Sequence, residues 1–99
     1  MKQFTDMDFD NEINSGTVVV DFYADWCSPC KMLMPTLQRM SSSSSAKFGK
    51  IDVDSNPTIT KKYQINSLPT VLVFKDGNVV KKFTGLVTEN NLNDAIKNA

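Results

Sequence analysis

The sequence predicts an α/β domain: a central mixed β-sheet of about five strands flanked by four helices. Three observations carry this expectation. β-Rich apolar runs alternate with segments of helical spacing, the pattern of strand–helix–strand crossovers. Near the end the alternation stops, and two β-rich runs flank Asp76-Gly77, a hairpin signal that makes the last strand pair antiparallel. One run, Thr17–Ala24, is apolar at both odd and even positions except for Asp21, as expected of a strand covered on both faces.

Residues 2–4 read as a short first strand. Thr5-Asp6-Met7-Asp8 resembles a capping box, and Phe9 and Ile13 follow at helical spacing until Gly16 stops the helix. After the strand Thr17–Ala24, helical spacing resumes at Leu33, Leu37 and Met40. Pro35 lies within that helix and should kink it, because it removes a backbone donor and crowds the preceding turn. The run Ser41–Ser45 should fray the helix into a solvated loop, since serine competes for nearby backbone hydrogen bonds. Phe48–Val53 reads as a strand. Asn56-Pro57 reads as a helix start with Asn as the cap, and Ile59 and Tyr63 share the inner face. Thr70–Lys75 and Asn78–Thr84 form the hairpin. The last helix begins near Thr88, with Leu92, Ala95, Ile96 and Ala99 on one face.

Composition narrows the function. The 99 residues fit one domain, 1–99, and 40% are hydrophobic, as in an ordinary globular protein. Eleven basic residues balance eleven acidic ones, so no net field selects nucleic acid or an anionic membrane. The apolar runs are too short to span a bilayer, and residues 1–16 show no signal-peptide pattern. The chain has two cysteines and no histidine. That excludes a Cys–His dyad and leaves too few ligands for a structural zinc site within one chain. Lys31, not His, follows the second cysteine, which excludes covalent haem attachment.

The chemistry therefore concentrates at Trp26-Cys27-Ser28-Pro29-Cys30. Here a buried strand feeds a helix. Residues three apart on a first helical turn are neighbours, so the two sulfurs can close a small ring. Unpaired N–H groups and the helix dipole favour a thiolate at Cys27, at the exposed helix entrance, with Cys30 one turn inward. Pro29 suits an early helical position. A thiol drawn from pKa ~8.5 to ~7 gains roughly 15-fold in thiolate at pH 7, but a Brønsted slope of ~0.4–0.5 returns about 4–6-fold as lost nucleophilicity. Access, geometry and the second thiol must supply the rest. The bland alternative is a structural disulfide, yet a four-residue ring contributes only about 2 kcal/mol by chain entropy.

The stretch Val20-Asp21-Phe22-Tyr23-Ala24-Asp25-Trp26-Cys27-Ser28-Pro29-Cys30-Lys31-Met32 resembles the active-site segment of the thioredoxin family. Lys50-Ile51-Asp52-Val53-Asp54, Leu68-Pro69-Thr70 and Thr84-Gly85 resemble further family segments, in family order over nearly the whole chain. Ser28 departs from the usual Gly, Tyr23 from a common Trp, and the serine-run region is slightly short.

The resemblance implies the thioredoxin fold and a thiol–disulfide oxidoreductase that reduces disulfides in target proteins through a Cys27/Cys30 couple. It implies no bound cofactor beyond that redox-active pair. Asp21, read from the residues alone, is either a strand-end carboxylate facing water or a desolvated acid with a raised pKa. The resemblance selects the second and implies proton transfer with Cys30 through water. Lys50, alone a surface charge, matches the family lysine near that acid. A cis bond before Pro69 is the minority form for X–Pro, but the resemblance implies it. Trp26, Ser28, Pro29, Leu68, Pro69 and Gly85 would form the substrate surface. The implied partners are disulfide-containing proteins and a flavoprotein thioredoxin reductase, with no nucleic acid and no membrane. A cytoplasmic monomer is expected. The rival readings are a binding module with dispensable cysteines and a metal site shared by two chains.

Overall fold

The computed structural model describes all residues, Met1–Ala99. Its elements are β1 (Lys2–Gln3), α1 (Phe9–Ile13), β2 (Thr17–Tyr23), α2 (Ser28–Ser43), β3 (Lys47–Asp52), α3 (Pro57–Lys62), β4 (Thr70–Lys75), β5 (Asn78–Thr84) and α4 (Glu89–Lys97). The five strands form one sheet in the order β1-β3-β2-β4-β5. β2 runs parallel to β3 and antiparallel to β4, and the β4–β5 hairpin is antiparallel. The mixed sheet and its helices agree with the sequence expectation.

The alternation along β2 explains the layering. Val18, Val20 and Phe22 enter a core with Phe4, Phe9, Ile13, Ile51, Ile59, Leu72 and Phe74, beneath α1 and α3. Val19 enters the opposite core with Leu33, Leu37, Met40, Phe48, Val71, Val73 and Leu92, beneath α2 and α4. Both faces are covered, so a continuous apolar strand is required. Gly49, on β3, is needed for packing: a Cβ there would overlap the Phe4 ring. At the hairpin, Asp76 and Gly77 both adopt positive φ, 50° and 87°, as the tight turn demands.

Thr5 and Asp8 do make reciprocal bonds, Thr5 N–H to Asp8 Oδ1 at 2.8 Å and Asp8 N–H to Thr5 Oγ1 at 3.3 Å. Two local expectations are corrected. The serine run does not end α2 at Ser41. The helix continues to Ser43, with Ser42 Oγ donating to Gln38 O (3.2 Å) and Ser43 Oγ to Arg39 O (3.4 Å). Back-bonding to the previous turn satisfies the hydroxyls without unwinding the helix. At α3, Asn56 holds the cap position but its side chain does not cap. Asp6 does so from a distant segment, accepting from Thr58 N (3.2 Å) and Ile59 N (2.9 Å). Asn56 Oδ1 instead accepts from Asp6 N, and Asn56 Nδ2 donates to Asp52 O.

Candidate active site

Cys27 is the N-cap of α2, with extended backbone, followed by Ser28 and Pro29 at the first helical positions. Pro29 removes an N–H that would have no intrahelical partner there. The Cys27 sulfur accepts from Cys30 N–H at 3.2 Å, so a sulfur occupies the place usually taken by a capping oxygen. The two cysteines form a disulfide with their Cα atoms 5.3 Å apart. The expected exposed entrance is corrected in this oxidised state: Cys27 is only 5% exposed and Cys30 1%. The exposed rim is made by Trp26, Ser28 and Pro29.

The residues of the expected substrate surface converge only in part. Trp26 is 70% exposed, and its indole N–H donates to Asp54 Oδ2 at 2.9 Å. Leu68 is half-buried and packs with Tyr23 and Val53 against Ala24, Cys27 and Cys30. The Leu68–Pro69 peptide bond is cis. Pro69 O accepts from Gly85 N–H at 2.8 Å, which ties the loop after β5 to this corner, and Gly85 has a positive φ of 84°.

Asp21 lies on β2 between Val19 and Tyr23, and so on the face covered by α2. It is 0% exposed, and neither carboxylate oxygen has a hydrogen-bond partner. Burial disfavours its charge and pushes its pKa from 3.8 to about 7, against a smaller downward pull from Lys50. Lys50 is its register partner on β3 and shares its face of the sheet. A cavity of about 190 Å³, lined by Tyr23, Ala24, Asp25, Cys30, Lys31, Met34 and Lys50, opens at the end of this row. A larger concavity of about 470 Å³ lies between β5 and α4 and contains no cysteine. The chemistry belongs with the smaller one, which joins a sulfur to the cation beside the buried acid.

Sequence reasoning missed two contributors. Gln3 accepts from the Tyr23 phenol at 3.0 Å, and Asp54 holds the Trp26 indole. Asp54 lies within a segment already singled out; Gln3 carries no sequence signal. No helix is long and apolar enough to cross a membrane.

A vicinal cysteine pair at the entrance of a helix, on this mixed sheet and above a buried acid, defines a thiol–disulfide oxidoreductase. The comparisons with known proteins agree. The Thioredoxin family model matches residues 1–98. A thioredoxin of Staphylococcus aureus is 44% identical over 94 residues, covering 93% of this chain and 90% of its own. Among solved structures, a mutant thioredoxin from Halobacterium salinarum NRC-1 superposes with a TM-score of 0.91 at 34% identity, covering 98% of this chain and 88% of that one. Mitochondrial thioredoxin 3 of Saccharomyces cerevisiae, in its oxidised form, gives 0.89 at 34% identity, covering 100% and 95%. The chain belongs to the thioredoxin family, and its activity is that of a disulfide oxidoreductase.

Proposed function

We propose that Cys27 is the attacking thiolate, Cys30 the resolving thiol and Asp21 the group that takes the Cys30 proton. Cys27 sulfur attacks a target disulfide, forming a mixed disulfide and releasing one target thiolate. Asp21 accepts the Cys30 proton through water. Cys30 sulfur then attacks Cys27 sulfur and releases the second target thiolate. The dithiol has lost two electrons and the target disulfide has gained them, so no further cofactor is needed. The family implies disulfide substrates and a reductase in general; we read the reductase as a flavoprotein that returns two electrons to the Cys27–Cys30 disulfide. Trp26, Ser28, Pro29, Leu68, Pro69 and Gly85 form the contact surface for the target. We read residues 1–99 as one domain acting as a monomer in the cytoplasm, where thiols are kept reduced.

The observation that carries this reading is the asymmetry of the pair. The Cys27 sulfur receives a helix-terminal N–H, while Cys30 turns inward to the cavity that Lys50 also lines. A thiolate at Cys27 is thereby stabilised before attack. The test is insulin reduction by dithiothreitol, with trapping in parallel. Wild type should accelerate reduction; Cys27→Ser and Cys30→Ser should not. Cys30→Ser should accumulate mixed disulfides through Cys27, because the escape route is gone. Equal trapping by Cys27→Ser would reverse the assigned order of attack.

A further inference from the structure

Tyr23 touches the same cavity as Cys30, yet the mechanism above gives it no work. It ends β2, two residues beyond Asp21 and on the same face of the sheet. Its hydroxyl donates across β3 to Gln3 Oε1 on β1 at 3.0 Å. Gln3 is in turn the register partner of Lys50, and its amide makes a long bond of 3.5 Å to Lys50 O. The phenol ring is therefore fixed at both ends, by its own strand and by Gln3. Lys50 Nζ lies 5.7 Å from the centroid of that ring, within the range of a cation–π contact. None of the chain's four ion pairs includes Lys50. A flexible four-carbon stem with no carboxylate partner would otherwise carry its ammonium into water.

We propose that Tyr23 is a positioning residue: its ring, pinned by Gln3, holds the Lys50 ammonium at the mouth of the Cys30 cavity, on the Asp21 side, and so sets how much Asp21 carboxylate is available when Cys30 loses its proton. The proposal deepens the reading above and rests on it for the last step. Lys50 is the one charged group acting on Asp21, and it lowers the carboxyl against the stronger effect of burial. Other titratable groups near the row are Asp52 on β3, Asp25 in the turn after β2, and Cys30 and Lys31 on α2; β4 brings Val71 opposite Asp21, with no charge. Burial pushes the Tyr23 phenol above its ordinary value, so it remains a neutral donor.

The test is a carboxyl-carbon NMR titration of Asp21 in the oxidised protein. Lys50→Gln should raise the Asp21 midpoint by about one unit, the loss expected for a nearby opposite charge. Tyr23→Leu should raise it by about half a unit, through release of Lys50, whereas Tyr23→Phe keeps the ring and should shift it less. Gln3→Ala, at an exposed position, should shift it in the same direction without touching the cavity. In a Lys50→Gln background, Tyr23→Leu should not raise it further. A ring that only fills space gives the opposite sign, because a smaller side chain admits water and lowers the midpoint. A fall with Tyr23→Leu, or an unmoved midpoint in both Tyr23→Leu and Gln3→Ala, would overturn the proposal. The rate of mixed-disulfide resolution, measured across pH on the same variants, separates the two claims. Midpoints that move as expected with an unchanged rate profile support the positioning role of Tyr23 and remove the proton role of Asp21.

Discussion

The two faces of the sheet use the same strand for different ends. Val18, Val20 and Phe22 of β2 meet an aromatic core in which Phe9 contacts four rings, with centroids at 5.6–6.2 Å to Phe4, Phe22, Tyr63 and Phe74. One residue out of phase, Val19, Asp21 and Tyr23 meet the α2 side, where a mainly aliphatic core with Phe48 gives way to a buried acid and then to the cavity at Cys30. The polar groups buried on the first face, Thr70 and Asn56, are hydrogen-bonded to backbone carbonyls; the second holds an ionisable group with no hydrogen-bond partner. The aromatic face carries the dense packing, and the destabilising buried acid lies on the other, on the side of the cysteine pair.

The largest effect should come from breaking the aromatic face. Phe9→Ala removes the shared ring and leaves a cavity, at a cost of about 3–5 kcal/mol, a large share of the stability of a small domain. Urea unfolding should show a lower midpoint, while folded molecules should resolve mixed disulfides at an unchanged rate. A comparable loss of resolution rate would mean the faces are not separable.

The opposite outcome is expected from Asp21→Asn. In the folded protein the Asp21 carboxyl titrates at about 7 rather than 3.8, so between those values the folded state keeps a proton that the unfolded chain has lost. Stability contributed by this group is therefore greatest below about pH 4 and falls as pH rises toward 7, by on the order of 4 kcal/mol in all. Asparagine removes the charge but leaves a buried amide without partners, which costs about 1–3 kcal/mol. The net gain should be about 1–3 kcal/mol at pH 7 and above, and should turn into a loss of about 1–3 kcal/mol below pH 4, where the carboxyl is protonated in both states and only the amide cost remains. Thermal unfolding measured across pH checks this, and slower resolution should accompany it. A pH-independent gain would mean that Asp21 titrates alike in the folded and unfolded states, so that burial does not raise its pKa.

The smallest change sharpens the contrast within the active-site face. Thr88 caps α4, accepting from Asn91 N–H at 3.1 Å, and α4 supplies Leu92 to the same core as Leu33. Thr88→Ala should cost about 1 kcal/mol in denaturant unfolding. The Asp21 midpoint should stay where it is, because the cap lies outside the row of Asp21, Lys50 and Tyr23. A shifted midpoint would show that the whole face, not that row, sets the acid.

Patterns confined to one segment could be read directly. The alternation in β2, the Asp76-Gly77 turn and the start of α4 near Thr88 all depend on a few neighbouring residues, and each stands where its sequence indicates. The cysteine spacing and the apolar surroundings of Asp21 belong to the same kind. What escaped depends on partners far along the chain. Asn56 has the composition of a cap, but Asp6 arrives from 52 residues away and displaces its side chain. Gly49 has no local signature; only the Phe4 ring above it makes the missing Cβ necessary. Ser42 and Ser43 follow the propensity of serine only until α2 offers carbonyls one turn back. Gln3 enters the site through a sheet edge that no motif marks.

The capping of α3 by Asp6 also bears on the order in which the chain is made. Ribosomes deliver this segment before its partners: Gly49 and Lys50 for β1, and Thr58 and Ile59 for Asp6, come some fifty residues later. At ordinary translation rates that is a delay of roughly 3–10 s, far longer than a helix or hairpin needs to form. During that interval the Phe4 ring has no Gly49 to lie on. Residues 2–6 thus emerge well before they can be satisfied, and a nascent chain halted before Thr58 would leave Asp6 without the backbone donors it accepts from.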